Sequence, residues 1–356
     1  MKLYLKSLLL LLPIAIFIIA INFFVDPANI FHNGYEKGIA EHLVKGYNVT
    51  NVENYNERLL QKYFIDNMKD YPDIIALGSS RIMQLNSPFL KEDKFINSGV
   101  SGASLEDDIA IYYLYEKRGC KIKKVMLGID PWLLNDNHTQ TGWKELRNEY
   151  AFFLNNQLKQ NINLGAKTKA YDYLKYKELL SRSYFKSSLQ FIQRGSDKTY
   201  YPTKNTVNKG FTRVADGSIY YGEAFRMVSP DDIEKRALIN IEANPVYRLG
   251  DFTTLSGSYK TTFTKFIDYL QKKNIEVEFF LSPYHPIVYE FFKENKYYHI
   301  VFKCEDYFKQ FAAVHKIKVI GSYYPSKYEL DNLYLLDGLH CNEKAIKKIF
   351  EISNYH

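Results

Sequence analysis

Five short apolar segments, each followed by a turn, constrain the fold of this chain most strongly. They are "DIIALGS" (73–79), "KFINSGV" (94–100), "KKVMLGID" (123–130), "EVEFFLSP" (276–283) and "KVIGSYY" (318–324). Several are apolar at nearly every position, which is typical of strands in a parallel sheet that is covered on both faces. We therefore predict an α/β fold, a three-layer α/β/α sandwich around a central five-stranded parallel sheet.

Helical patterns lie between these segments. One begins at Ser104 with a Ser-x-x-Asp capping pattern, a second covers 259–274, and a long one covers 286–316. Right-handed crossovers would bring the carboxyl ends of the strands to one edge of the sheet. We expect the functional residues to gather at that edge.

Two stretches lie outside this alternation. Residues 26–72 are polar and aromatic, and are predicted to form a connector and an entry helix that stops at Pro72. Residues 136–257 are rich in Tyr, Lys, Asn, Ser and Gly, and are predicted to be an insertion, helical at first and then irregular or β. Insertions at strand ends commonly form lids and substrate walls. The main domain is thus expected to cover 73–356.

The N-terminus predicts a transmembrane anchor. Lys2 and Lys6 precede an apolar run from Ser7 to Val25, and these nineteen residues would form a helix roughly 28 Å long, about the thickness of the hydrocarbon core of a bilayer. The lysines predict that residues 1–25 comprise a cytoplasmic N-terminus and the anchor, with the remaining chain extracytoplasmic, in the periplasm or on the cell surface. A cleaved signal peptide is the alternative, but no small-x-small site follows the run.

Charge and cysteine content argue against two other classes of protein. The net charge is +7, but the lysines are interspersed with acidic residues and form no basic stripe, so we expect no nucleic-acid partner. Cys120, Cys304 and Cys341 form no CxxC pair and favour neither a disulfide framework nor a metal site. We expect Cys341 to be a small buried apolar residue, and no cofactor is required.

The most informative polar residues follow the first predicted strand, in "LGSSR". A nucleophilic serine needs a neighbouring base, a third group that orients the base, and N–H donors for the oxyanion. The backbone N–H of Ser80 lies where a strand gives way to a helix, and a helix N-terminus favours developing negative charge. Alone, a Gly-Ser-Ser turn is more often an ordinary loop or helix cap.

Two further motifs complete such a site. In "DGLH", Asp337 and His340 are separated by two residues, which lets the carboxylate accept a hydrogen bond from one imidazole nitrogen while the other faces a nucleophile. In "NSGVSG", Gly99 and Gly102 flank a turn where a backbone N–H can point at an oxyanion. Each motif is weak by itself, but all three lie at or just beyond predicted strand ends.

In these motifs the chain resembles the SGNH, or GDSL, hydrolases, which have a flavodoxin-like α/β/α fold. The resemblance implies that Ser80 is the nucleophile, that Asp337 and His340 complete a catalytic triad, and that the N–H groups of Ser80 and Gly102 form the oxyanion hole. It covers roughly 70–135 and 258–352 and leaves the insertion unexplained.

One motif departs from that family. The third block of the family is Gly-x-Asn-Asp, whose Asn donates to the oxyanion, whereas "LGIDPW" places Asp130 at the Asn position. An ionised Asp cannot donate. Either Asp130 binds something else, such as a sugar hydroxyl, or orients a nearby loop, or another donor replaces it, or the hole keeps two donors. A turn-forming Asp before Pro131 is an equal alternative.

His285 in "FLSPYHPIVYE" also follows a predicted strand end. Flanking prolines stiffen its loop, and we expect it either to contact substrate or to be satisfied by backbone groups.

The "GSSR" block and the single N-terminal anchor more closely resemble the extracytoplasmic SGNH-like proteins that accompany membrane-bound O-acyltransferases, such as those of teichoic-acid D-alanylation and polysaccharide O-acetylation. This resemblance implies a serine-dependent O-acyltransferase or esterase acting on a cell-envelope polysaccharide, with an acyl donor and a membrane-bound O-acyltransferase as partners. A non-catalytic glycan-binding or assembly protein is the alternative, and Asp130 is its best support.

Overall fold

The computed structural model describes residues 2–27, 30–31, 34–53, 55–91, 94–164, 175–193, 200–243 and 246–354, with side chains from residue 12 to residue 353 except that of Val246. Within them the α-helices are α1 (Lys2–Val25), α2 (Tyr35–Val44), α3 (Glu57–Asn67), α4 (Ser87–Leu90), α5 (Leu105–Lys117), α6 (Arg147–Asn156), α7 (Arg182–Gln193), α8 (Glu223–Arg226), α9 (Pro230–Glu242), α10 (Gly257–Lys272), α11 (Pro286–Glu294), α12 (Ile300–His315) and α13 (Glu343–Asn354). The strands are β1 (Asn48–Thr50), β2 (Ile74–Leu77), β3 (Phe95–Asn97), β4 (Lys124–Gly128), β5 (Tyr201–Thr203), β6 (Thr212–Arg213), β7 (Ile219–Tyr220), β8 (Glu276–Leu281) and β9 (Lys318–Gly321).

The predicted five-stranded parallel sheet is confirmed. In the described residues its order is β3-β2-β4-β8-β9, and every neighbouring pair is parallel. The chain therefore leaves β2 for β3 on one side and then crosses to β4 on the other. The point between β2 and β4 is the topological switch point, where α/β sheets open a crevice for ligands.

Apolar side chains on both faces of this sheet explain the layered arrangement. Ile75 and Leu77 belong to a large core under α3, α5, α10 and α12, whereas Ala76 and Met126 belong to a second core that includes residues of α13. Because successive strand residues point to opposite faces, uniformly apolar strands bury both faces at once.

The long helical pattern over 286–316 is divided in the structure. Asn295 ends α11 in an extended conformation, and its side chain accepts a hydrogen bond from the N–H of Tyr297 at 3.2 Å. A short 3₁₀ turn, Lys296–Tyr298, follows before α12 begins. Asparagine competes with helical backbone bonding in this way, which the apolar periodicity alone does not reveal.

A second sheet joins the connector to the insertion. It is antiparallel, in the order β5-β1-β6-β7, so that a strand at residues 48–50 pairs with strands beyond residue 200. The sequence predicts irregular or β structure in the second half of the insertion, but not this pairing with the connector. The strands have two or three residues each, too few to show an alternating pattern.

The N-terminal run is helical from Lys2 to Val25, but the side chains of residues 7–11, part of the predicted anchor, lie outside the described residues. In the part of the chain that the structure describes, no helix is sufficiently long and apolar to span a membrane. The predicted anchor is thus without structural support.

Candidate active site

The first polar segment of the site follows β2 at the switch point. Gly78 adopts a φ of 138°, and a Cβ on it would lie 3.0 Å from the Cα of Gly128 in β4. Only glycine permits both this backbone conformation and this close approach. The chain then turns and leaves Ser80 partly exposed, while Ser79 is buried.

Ser80, His340 and Asp337 form a continuous hydrogen-bonded relay. The Oγ of Ser80 lies 2.8 Å from Nε2 of His340, and Nδ1 of the same ring lies 2.8 Å from Oδ2 of Asp337. Since a carboxylate can only accept, Nδ1 carries the proton and leaves Nε2 free to accept one from Ser80. The structure therefore brings together the three residues that the sequence singles out, across 260 positions of chain.

The loop that carries Asp337 and His340 is held rigidly. Oδ1 of Asp337 accepts the backbone N–H groups of Leu339 at 2.7 Å and His340 at 2.8 Å, and the N–H of Leu336 donates to the carbonyl of His340 at 2.8 Å. Burial alone would raise the pKa of Asp337, but the charge of His340 and these hydrogen bonds together lower it. The carboxylate thus stays ionised to orient the imidazole.

The two predicted oxyanion donors are backbone N–H groups. The N–H groups of Ser80 and Gly102 donate to no atom of the described residues. Gly102 has a φ of 58°, and a Cβ on it would collide with the hydroxyl of Tyr247. Tyr247 comes from the insertion, and its own φ of 59° is unusual for a residue with a side chain. The insertion therefore places a phenol directly beside the predicted oxyanion loop.

Arg81 is a residue of the site that the sequence motifs did not single out, as is Tyr247. Its buried guanidinium pairs with Asp130 (Nη1–Oδ1, 2.8 Å), and it donates from Nη2 to the carbonyl of Ser282 and from Nε to that of Leu339 at 3.3 Å. It also lies 4.1 Å from the ring centroid of Tyr284. Arg81 thus connects the ends of β2, β4 and β8 to the loop of His340. The position of Arg81 directly after Ser80 in "GSSR" is the one sequence feature that could have indicated a role in the site.

The structure corrects the expected role of Asp130. Its side chain is 4% exposed and faces Arg81 rather than open solvent, so it is the counter-ion of that guanidinium and not an exposed acceptor for a sugar hydroxyl. Burial raises the pKa of the Asp130 carboxyl, while the charge of Arg81 and a hydrogen bond from Ser79 oppose that rise. A buried guanidinium requires such a partner. Of the alternatives, orientation of a neighbouring loop describes this contact. Asp130 also begins the 3₁₀ turn Pro131–Leu134, as the turn-forming alternative expects.

His285 is also not brought to the surface of the site. It is fully buried and caps α11, where its Nδ1 accepts the N–H of Ile287 at 3.3 Å. Burial lowers the pKa of its imidazole. Cys341 is buried, as predicted. Among the described residues, no group of three or more His, Cys, Asp and Glu side chains is arranged to hold a metal ion.

Comparison of the chain with models of known protein families and with curated proteins gives no match to either. The resemblance to SGNH hydrolases therefore rests on the sequence motifs alone.

Proposed function

We propose that the chain is a serine-dependent esterase or O-acyltransferase that forms an acyl-enzyme on Ser80. The observation that carries this proposal is the relay from Ser80 through His340 to Asp337, with 2.8 Å at both links. Such spacing is the reach of a hydrogen bond, which a general base needs to take the proton of a nucleophile. The partial exposure of His340, 17% of its side chain, leaves it accessible to a substrate.

The two half-reactions follow from the relay. Ser80 Oγ attacks the acyl carbonyl carbon as Nε2 of His340 takes its proton, and the bond to the leaving alcohol breaks as His340 protonates that oxygen. An acceptor hydroxyl or water then attacks the acyl-enzyme, loses its proton to His340, and Ser80 recovers its proton as the acyl bond to Oγ breaks. Asp337 holds the imidazole and stabilises its charge in both steps.

The oxyanion in this proposal is bound by the N–H groups of Ser80 and Gly102, with Tyr247 in place of the missing Asn donor. The hydroxyl of Tyr247 lies against Gly102, and burial, followed by the charge of Asp130, raises its pKa. A phenol that stays protonated is a hydrogen-bond donor at neutral pH. Asp130 itself accepts from Arg81 at 2.8 Å, so its side chain serves that ion pair rather than the oxyanion.

Tyr247→Phe tests this donor. We expect it to lower turnover of p-nitrophenyl acetate by ~10²-fold, the usual cost of losing one oxyanion donor, with little change in KM. Tyr259→Phe, in another half-buried tyrosine, is the matched control. An unchanged kcat in Tyr247→Phe would show that Tyr247 is not an oxyanion donor and that the oxyanion hole has only its two backbone donors.

Variants of the triad test the proposal as a whole. Ser80→Ala, His340→Ala and Asp337→Ala should each abolish most turnover of p-nitrophenyl acetate, and the Ser80/His340 double variant should be scarcely worse than either single variant, because the residues act as one unit. A double variant whose loss equals the product of the single losses would contradict a shared role. Steady-state kinetics on folded variants, checked by circular dichroism, decide this.

The substrate and location are proposed from the sequence resemblance. We propose a cell-envelope polysaccharide as acceptor, a membrane-bound O-acyltransferase as partner, and an extracytoplasmic domain on an N-terminal anchor. Protease treatment of intact cells tests this location, since an intracellular domain would survive it.

A further inference from the structure

A cavity of about 330 Å³ lies between the second sheet, the connector and the oxyanion loop. Its lining includes Tyr55, Glu57, Ser101, Phe211, Arg213 and Tyr221. This volume is in the range of sites for small molecules. The connector and the insertion form most of its walls. These two segments contribute no residue to the triad, but they meet at a cavity large enough for a small molecule.

Two residues that line the cavity adjoin the candidate active site, Tyr221 and Ser101. The ring of Tyr221 lies edge-on to the imidazole of His340, with 6.0 Å between ring centroids. Ser101 directly precedes Gly102, and its N–H donates to the carboxylate of Glu57. A molecule in this cavity would therefore contact Tyr221, which packs against the general base, and Ser101, which precedes the oxyanion loop glycine.

The walls combine aromatic faces with fixed polar groups. Phe211 and Tyr221 are 5.5 Å apart between centroids. Beneath them Arg213, 2% exposed, donates from Nη1 to the carbonyl of Gly217 at 3.0 Å and from Nη2 to Glu57 at 3.2 Å. Flat apolar surfaces with directed donors and acceptors suit the faces and hydroxyl groups of a sugar or polyol.

One donor in this wall is unsatisfied. The Nε of Arg213 is buried and has no hydrogen-bond partner among the described residues. Buried guanidinium donors are normally paired, so the Nε of Arg213 retains an unused donor. This donor lies in a residue that lines the cavity.

The charge of the cavity argues against an anionic ligand. Glu53 and Glu57 both line it, against the single guanidinium of Arg213, which Glu57 already pairs. An added phosphate or carboxylate would meet uncompensated negative charge. An uncharged hydroxylated unit needs no counter-ion and finds both donors and acceptors.

We propose that this cavity, the acceptor pocket, binds an uncharged sugar or polyol unit and presents one of its hydroxyl groups to the acyl-enzyme. The inference rests on the proposed function, because it assigns the acceptor of the second half-reaction. The acceptor oxygen bonds to the acyl carbon, the bond from that carbon to Ser80 Oγ breaks, and His340 carries the proton from the acceptor hydroxyl to Oγ.

The test measures partition of one acyl-enzyme between two acceptors. The wild-type protein is incubated with p-nitrophenyl acetate and increasing maltotriose, and acetylated sugar and acetate are quantified by mass spectrometry. We expect saturable transfer to the sugar. In Phe211→Ala the ratio of transfer to hydrolysis should fall about tenfold, which corresponds to the ~1.4 kcal/mol of one aromatic contact.

Tyr297→Ala is the matched control, because Tyr297 is 63% exposed and lies outside the lining of the pocket. It should leave the ratio unchanged. Two results would overturn the acceptor pocket and leave the proposed function intact. In the first, transfer and hydrolysis fall by the same factor in Phe211→Ala. In the second, the wild-type protein hydrolyses the ester without transferring the acyl group to maltotriose. Absence of both reactions in the wild-type protein would contradict the proposed function itself.

Discussion

At the scale of single residues, a buried ion pair next to the nucleophile organises the site. Arg81 and Asp130 are 3% and 4% exposed at the side chain and come from the ends of β2 and β4. The sequence indicates Ser80, Asp337 and His340, since their motifs carry recognisable chemistry. It does not indicate the pairing of Arg81 with Asp130, because a contact 49 positions apart depends on strand order.

Asp130→Asn is expected to destabilise the protein by ~3–5 kcal/mol, because it leaves the buried Arg81 without its counter-ion. Urea unfolding monitored by circular dichroism measures this loss. The double variant Arg81→Met/Asp130→Leu removes both charges and should be less destabilised than Asp130→Asn. A fully stable Asp130→Asn would show that the ion pair does not hold these strand ends together.

At the scale of elements, the helix that follows the oxyanion loop was predicted closely. The Ser-x-x-Asp pattern indicates a start at Ser104, and the structure confirms a capping box in which the Ser104 N–H donates to Asp107 at 3.0 Å. Local hydrogen-bonding chemistry determines this boundary, so it is visible in sequence. The second sheet, by contrast, requires contacts between residues more than 150 positions apart, which no local pattern encodes.

The same helix carries a buried carboxyl group without a partner. Both oxygens of Asp108 lack hydrogen bonds among the described residues, and burial, followed by the charge of Asp107, raises the pKa of Asp108 well above its ordinary value of 3.8. Above pH 3.8 the unfolded chain releases this proton while the folded chain keeps it, so stability falls as pH rises until the folded pKa is passed.

Asp108→Asn removes the ionisable group and with it this loss of stability at higher pH. We expect Asp108→Asn to be more stable relative to the wild type at about pH 7.5 than at about pH 4.5, that is, to show the larger gain in the free energy of unfolding at the higher pH. Urea titrations at the two pH values measure the difference. Asp107→Asn is the control, because Asp107 is paired with Arg58 at 2.9 Å and its loss should destabilise at neutral pH. A pH-independent effect of Asp108→Asn would contradict a neutral buried carboxyl.

At the scale of the whole molecule, a parallel sheet brings together motifs that are far apart in the chain. The five strands were predictable because each is a compact apolar segment, and their carboxyl ends meet at one edge by geometry. The walls beside the triad were not predictable in the same way. They come from the connector and the insertion, whose short strands and aromatic residues form a cavity only when the two segments pack against each other.

The central claim is that Ser80 is a nucleophile activated by His340. A serine-directed fluorophosphonate probe, followed by peptide mapping with mass spectrometry, tests it most directly. We expect labelling of the wild-type protein on Ser80, its loss in Ser80→Ala, strong reduction in His340→Ala, and retention in Ser79→Ala. No labelling of folded wild-type protein, or labelling that persists in Ser80→Ala and is lost in Ser79→Ala, would contradict the account.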